Sequence, residues 1–375
     1  MNTSAAQTEP CPGDHERFMA ACLRLAMRHD GLTGTNPSVG TLLVKDGVVV
    51  GKGITARGGR PHAERIALDM AEDQARGATA YVSLEPCAHH GVTPPCAQAL
   101  IDAGVAEVFT AWTDPDNRVD GKGHAMLRAA GISVHTGLCA DQARRNLLGY
   151  LTRKSAGRPT VTLKLAVSRD GKLGRQGEEI AITGPLAKAM VHRLRGGHNA
   201  ILVGRGTVEA DDPDLTSRLP GLEGRSPHRF VLDAHASLSP TSRLAQTARN
   251  VPVTLVSAVP ALPMELTDLG VRHGACEQHD GQIALPELLD DMAAQGITTL
   301  MVEGGATVAK SFLELGLVDR IALFQSPHPL LNGQAMGGQG AAIDSPLTQA
   351  HLNDGFDLDE SLSLGADTAR FYVKR

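Results

Sequence analysis

The spacing of apolar residues changes repeatedly along this chain, and each change marks an element. Phe18, Ala21, Cys22, Leu25 and Ala26 recur at three and four, which predicts a helix that Asp14 can cap. Residues 41–44 and 48–50 are β-rich runs joined through Asp46-Gly47, a dipeptide that favours a tight hairpin. Ile66, Ala67, Met70 and Ala71 return to helical spacing just after Pro61-His62. Residues 79–84 read as a buried strand, 85–95 as a loop and 96–103 as a second helix. Residues 105–112, 125–130 and 132–134 continue as strand, helix and strand, an alternation that argues for a sheet with helices on its faces. A helix over 141–151 leads into 152–159, which is basic and small and reads as a linker.

Beyond that stretch, 160–167 alternates into Leu163, Leu165 and Val167 as a strand, and 168–172 turns. A helix is expected over 185–195, with Leu186, Met190 and Leu194 on one face, and strands over 200–203, 230–232 and 253–256. Residues 298–302 run into Glu303-Gly304-Gly305 and then a helix through Val308, Phe312 and Leu315. A strand, a glycine turn and a helix start present free N–H groups and a positive dipole end, which suits an anion. No Gly-x-Gly-x-x-Gly fingerprint accompanies it, so a standard dinucleotide fold is not indicated. With 375 residues and no internal repeat, the pattern divides into an α/β domain over 14–152 and a second α/β domain over 160–375.

Composition narrows the partners. The net charge of −5 argues against nucleic acid and membrane surfaces, and 3% aromatics give no stacking platform for single strands. No apolar run reaches the ~18 residues a membrane span needs. The polar first dozen residues read as a lead-in without a signal peptide. Six scattered Cys do not make a disulfide framework, so ordinary thiols in a reducing cytoplasm are expected.

Two of those Cys carry chemistry. His62, Cys87 and Cys96 are three ligands suited to zinc, and three protein ligands leave a fourth position for water. A bound zinc lowers the pKa of that water to about 7. Glu64, two residues from His62, can then carry protons between the water and a leaving amine. His-x-Glu followed by Pro-Cys and a second Cys is the pattern of zinc deaminases. His89 and His90 are rival metal ligands, although His62 and the Cys pair already complete a site. Asp114-Pro115-Asp116-Asn117 suits a plain turn.

The loop Glu85-Pro86-Cys87-Ala88-His89-His90-Gly91-Val92-Thr93-Pro94-Pro95-Cys96 separates its two Cys by eight residues, where nucleic-acid editing and cytidine deaminases usually have two. With Asn36-Pro37-x-Val39-Gly40 and Asp114-Pro115, it resembles the deaminase half of the bifunctional riboflavin biosynthesis proteins, the RibD family. That resemblance implies a cytidine-deaminase-like three-layer αβα domain in which His62, Cys87 and Cys96 hold Zn2+ and Glu64 shuttles protons. It also implies that Asn36 and the His89-His90 loop line a pyrimidine pocket.

Gly206-Thr207-Val208-Glu209-Ala210-Asp211-Asp212-Pro213-Asp214-Leu215-Thr216-Ser217-Arg218, with Lys164-Leu165-Ala166 and Val302-Glu303-Gly304-Gly305-Ala306, resembles the reductase half of the same family. That half is a dihydrofolate-reductase-like α/β domain that uses NADPH. The resemblance implies that Ala166, Ala181, Thr207, Asp211, Ala234, Gly305, Ala306 and Thr307 face NADPH. Glu179, Arg195, Leu215, Arg218 and Glu303 would face the substrate, the two arginines holding its phosphate as guanidinium forks do. Here Ala181 stands where the family carries Trp, and Glu179 where it carries a small polar residue. Trp112, the one Trp in the chain, lies in the first half.

The function so implied is two steps of riboflavin synthesis. The first is hydrolytic deamination of 2,5-diamino-6-ribosylamino-4(3H)-pyrimidinone 5′-phosphate. The second is NADPH-dependent reduction of the ribosyl group to ribityl. A phosphorylated pyrimidine is the expected partner, with no nucleic acid or membrane, and a homo-oligomer is expected because the family commonly forms one. Three alternatives stay open: a nucleic-acid editing deaminase, a purely structural zinc protein, and a deaminase whose residues 160–375 are a non-catalytic binding or dimerisation module.

Overall fold

Asp46 and Gly47 both take left-handed backbone conformations, φ 51° and 76°, as a two-residue hairpin turn demands. They join β1 (Gly40–Lys45) to β2 (Val48–Ile54) in a computed structural model that describes residues 12–91, 94–175, 180–279, 281–330 and 341–375. The chain divides into two compact units, residues 1–157 and 158–375.

In the first unit, β3 (Thr79–Val82), β4 (Glu107–Thr110) and β5 (Ser133–Thr136) complete a five-stranded sheet of order β2-β1-β3-β4-β5. β1 runs antiparallel to both its neighbours, and β3, β4 and β5 are parallel. Helices cover both faces. α1 (Pro12–Ala26) lies on the face of Gly40, where an added Cβ would sit 2.3 Å from the Cys22 carbonyl oxygen. α2 (Ala63–Ala71) lies on the opposite face, that of Thr41 and its partner Gly53. A Cβ at Gly53 would stand 1.9 Å from the Ala63 carbonyl oxygen, so glycine there lets the start of α2 rest on β2. α3 (Cys96–Asp102), α4 (Lys122–Ala129), α5 (Ala140–Asn146) and α6 (Leu148–Ala156) complete the unit.

Three expectations need correction. Asp14 does not cap α1, which already begins at Pro12; it lies in the first turn and pairs with Arg17 at 3.1 Å. The buried face of α1 is Phe18, Met19, Cys22, Leu23 and Ala26, rotated from the expected one, with Ala21 and Leu25 only half-buried. The stretch read as a linker is mostly the end of α6. That helix stops at Gly157, whose left-handed φ of 73° is a common helix stop.

The second unit holds a nine-stranded sheet. Its first seven strands are parallel, in the order Arg272–Ala275, Val253–Ser257, His228–Leu232, Ala200–Gly204, Thr299–Val302, Thr160–Val167 and Arg320–Gln325. Asp367–Lys374 and Phe356–Leu364 then add an antiparallel edge. Alternate residues feed separate cores on the two faces: Ala200, Leu202, Phe230 and Leu300 on one, Ile201, Val203, Val231 and Met301 on the other. Leu186 and Leu315, expected on apolar helix faces, are exposed. Among the described residues, no helix is long and apolar enough to cross a membrane.

Candidate functional site

The first unit gathers its reactive side chains where elements begin or end. His62 is the extended residue before α2, Glu64 lies in that helix's first turn, and Cys96 opens α3. Cys87 sits in the loop beyond β3 and is tied to α3: the Cys96 N–H donates to its Sγ at 3.3 Å, and the Ala97 N–H to its carbonyl at 3.2 Å. His62 Nδ1 lies 3.3 Å from Cys96 Sγ and 3.7 Å from Cys87 Sγ. A tetrahedral zinc with ordinary Zn–N and Zn–S bonds holds such atoms about 3.6 Å apart, so this donor set fits zinc in spacing as well as in kind.

The three donors are coupled to one another by hydrogen bonds. The hydrogen bond from the Cys96 thiol, opposed by burial and helped by His62, draws the Cys87 thiol down to about 4. The same contact pushes Cys96 upward, and the bond to Cys87 raises His62. Glu64 is 3% exposed; burial, with the charge of Cys87 behind it, lifts its carboxyl to about 7. A carboxyl so placed can hold or release a proton at neutral pH.

His62, Glu64 and Cys87 open into a cavity of about 350 Å³ that Asn36 and His89 also line. Asn36 Nδ2 donates to the Gly59 carbonyl at 3.3 Å. His89 Nδ1 is buried and has no partner among the described residues. His90 is exposed and does not line the cavity.

Glu85, which sequence reasoning passed over, holds this site together. Its carboxylate is 3% exposed and accepts four backbone N–H groups. Oε2 takes those of Asp114 and Gly121 at 3.2 and 3.0 Å, and Oε1 those of Gly123 and His124 at 2.9 and 3.2 Å. The loop before Cys87 is thereby fixed to the turn at Asp114 and to the start of α4. The approach is close: a Cβ at Gly123 would lie 2.0 Å from the Pro86 carbonyl oxygen. The Asp114 turn is an Asx turn, its Oδ1 accepting the Asp116 N–H at 2.9 Å and the Tyr150 hydroxyl at 2.8 Å.

In the second unit, Glu303 follows strand Thr299–Val302 and is clasped by two cations. Arg195 Nε and Nη2 donate to its two oxygens at 2.7 and 2.9 Å, and Lys164 Nζ lies 3.7 Å away. Burial raises the Glu303 carboxyl, but Lys164 and Arg195 outweigh it and hold it at about 2. The Arg195 fork is therefore engaged by Glu303. Arg218 is exposed and pairs with Asp214 at 2.6 Å. Leu215 is buried with a left-handed φ of 55°. Arg229, wholly buried, braces this segment by donating to the Asp214 carbonyl at 3.1 Å and the Thr247 hydroxyl at 2.9 Å.

Thr207 Oγ1 accepts the Gly305 N–H at 3.0 Å, which brings two stretches far apart in sequence together. Gly305 precedes helix Ala306–Glu314, whose start no side chain caps. Its first N–H groups remain for an anion such as a dinucleotide phosphate. Ala166 lies on strand Thr160–Val167, Asp211 ends helix Arg205–Asp211, and Ala234 follows strand His228–Leu232. Ala181 is exposed, and Glu179 lies outside the described residues.

Comparison with known proteins covers both units. Residues 12–112 match the cytidine and deoxycytidylate deaminase zinc-binding region, and residues 159–354 match the RibD C-terminal domain. The riboflavin biosynthesis protein RibD of Haemophilus influenzae is 42% identical over 96% of this chain and 97% of its own. The structure of Acinetobacter baumannii RibD superposes with a TM-score of 0.82 at 35% identity, covering 97% of this chain and 99% of that one. A Thermotoga maritima structure described as a diaminohydroxyphosphoribosylaminopyrimidine deaminase/5-amino-6-(5-phosphoribosylamino)uracil reductase gives 0.84 at 29% identity, with the same coverage.

Proposed function

The chain belongs to the RibD family of bifunctional deaminase–reductases of riboflavin biosynthesis, and on that premise we propose which of its residues carry the two reactions. Residues 14–152 hold the deaminase and 160–375 the reductase. The matched C-terminal domain and the Glu303–Gly305 geometry favour a working reductase over a non-catalytic module.

His62, Cys87 and Cys96 hold zinc, which when bound supplies a Lewis acid that lowers the pKa of its water to about 7. The cavity receives the pyrimidine of the diaminopyrimidine ribotide. Asn36 and the unpartnered His89 Nδ1 meet the edge of the ring. Glu64 takes one proton from the attacking water and gives it to a ring nitrogen, then takes the second from the added hydroxyl and delivers it to the departing amine. Water is consumed, a carbonyl replaces the amino-bearing carbon's C–N bond, and ammonia leaves. The observation that carries this reading is a buried carboxyl, Glu64, beside a zinc-competent triad.

In the reductase, NADPH supplies the hydride that turns the ribosyl group into ribityl. Ala166, Ala181, Thr207, Asp211, Ala234 and the Gly305-Ala306-Thr307 turn hold the cofactor. Leu215, Arg218, Glu179 and the Glu303–Arg195 pair face the substrate. Arg195 orients Glu303, while exposed Arg218 is available to the phosphate. A cytoplasmic setting and a homo-oligomeric state belong to the same proposal; sedimentation of the purified chain tests the latter.

A coupled assay on zinc-loaded protein tests the whole. Ammonia release should precede NADPH oxidation, and Glu64→Gln should keep its zinc while releasing no ammonia. Near-normal turnover in that variant would remove Glu64 from the reaction.

A further inference from the structure

The deaminase cavity is lined by both acidic and basic groups. Glu64, Glu85 and Asp114 line it as buried acidic groups. Arg60, Arg118, Arg153 and Lys154 line it as cations that are exposed or partly exposed, so the basic groups form its rim. Two of those cations converge on one anion. Asp116, 8% exposed, accepts Arg118 Nε at 2.9 Å, Arg118 Nη2 at 2.7 Å and Lys154 Nζ at 2.6 Å. Lys154 is also held 5.6 Å above the Tyr150 ring. Asp114 also acts on both cations, but the four lining cations Arg60, Arg118, Arg153 and Lys154 outnumber Asp114 and Asp116. Arg118 spends Nε and Nη2 on Asp116, which leaves Nη1 with both its protons, and its side chain is 64% exposed. Lys154 keeps two further ammonium protons. The result is a pair of donors held by one buried carboxylate in the lining of the pocket that His62 and Cys87 also line.

We propose that Arg118 and Lys154, oriented by Asp116, form the site that takes the substrate's 5′-phosphate in the deaminase. The proposal rests on the deaminase reading above and deepens it by naming what recognises the far end of the ribotide. A phosphate monoester carries about −1.5 to −2 charge at pH 7 and accepts several charge-assisted bonds, so it matches the surplus charge and donors of the rim. Asp116 acts as a positioning residue, holding both cations in place before the substrate arrives.

The test compares the diaminopyrimidine ribotide with its dephosphorylated riboside on zinc-loaded full-length protein. Ammonia release is followed for wild type, Arg118→Gln, Lys154→Met and Lys154→Arg, with zinc content checked in each. Loss of one charge-assisted contact should raise KM for the ribotide about tenfold or more in the first two variants, with kcat little changed. Riboside kinetics should not move, and Lys154→Arg should stay near wild type. Inorganic phosphate should compete with the ribotide in wild type and less well in the charge-removing variants. Equal losses on both substrates, or an unchanged ribotide KM, would overturn the assignment. If wild type released no ammonia from either compound, the deaminase reading itself would fall, a result distinct from both.

Discussion

Replacing Glu85 by Gln changes one oxygen to an NH2 group and leaves size almost untouched, so it isolates what the carboxylate does. In the native chain its two oxygens accept four backbone N–H groups, two each, at 2.9 to 3.2 Å. Whichever way the amide is turned, its NH2 faces two of those donors and can accept from neither. Two hydrogen bonds to a charged group are lost, at about 1.5–3 kcal/mol each, so roughly 3–6 kcal/mol of stability should go. A domain of this size has about 5–15 kcal/mol in all. Near 150 residues, each kcal/mol moves Tm by about 2–4 °C, so the first unit's transition should fall by roughly 6–24 °C. Differential scanning calorimetry of the full chain would read it directly. NADPH oxidation with pre-deaminated substrate should persist, because the second unit has its own sheet and cores. Zinc should also be held more weakly, since Cys87 lies two residues beyond the anchor. A loss below about 1 kcal/mol with unchanged zinc content would show that the four contacts do not brace the loop.

Further outcomes follow from the same geometry. Cys87→Ser should lose its metal by elemental analysis, and retention of one zinc per chain would contradict the ligand set. Arg218→Ala should raise the reductase KM for phosphorylated substrate far more than for NADPH; an effect confined to NADPH would move Arg218 to the cofactor side. His198 and His228 are partly buried, and desolvation holds both down to about 4, so the unfolded chain binds more protons than the native one between about pH 6.5 and 4. Stability of the second unit should therefore fall as pH drops through that window, by up to about 2.7 kcal/mol per pH unit for two sites. His228→Gln should roughly halve that slope in urea melts, and an unchanged slope would refute it.

Much of this was legible because the decisive signals are local. Asp46-Gly47 between two apolar runs specifies its turn by backbone conformation alone, and β1 and β2 form around it as expected. His62, Glu64 and Cys96 sit at helix starts that the apolar spacing marks, so their convergence with Cys87 is a consequence of element order. Glu85 was hidden because its partners are main-chain groups 29 to 39 residues away, and backbone donors leave no trace in residue identity. Arg229 is buried with its two terminal nitrogens bonded to carbonyl oxygens and a hydroxyl, partners that residue identity does not reveal. The strands at the end of the second unit were not visible either. Phe356–Leu364 is largely exposed and carries Asp357, Asp359 and Glu360, so it lacks the apolar alternation of a half-buried strand. Residues 152–156 look like a linker by composition, but helix α6 runs through them until Gly157 stops it.

The strand end at Val302 and the helix start at Ala306 are separated by Glu303, Gly304 and Gly305 alone. The carboxylate assigned to the substrate and the turn assigned to the cofactor therefore lie two residues apart on one taut piece of backbone. A Cβ on Gly304 would already stand 2.9 Å from Val308 Cβ, so there is no slack for the chain to take up. One inserted residue can part the two groups by up to about 3.5 Å, about the span of a reactive contact. The length of the segment is therefore constrained along with its composition. Insertion or deletion of a single residue should uncouple the hydride donor from its acceptor while leaving both ligands able to bind.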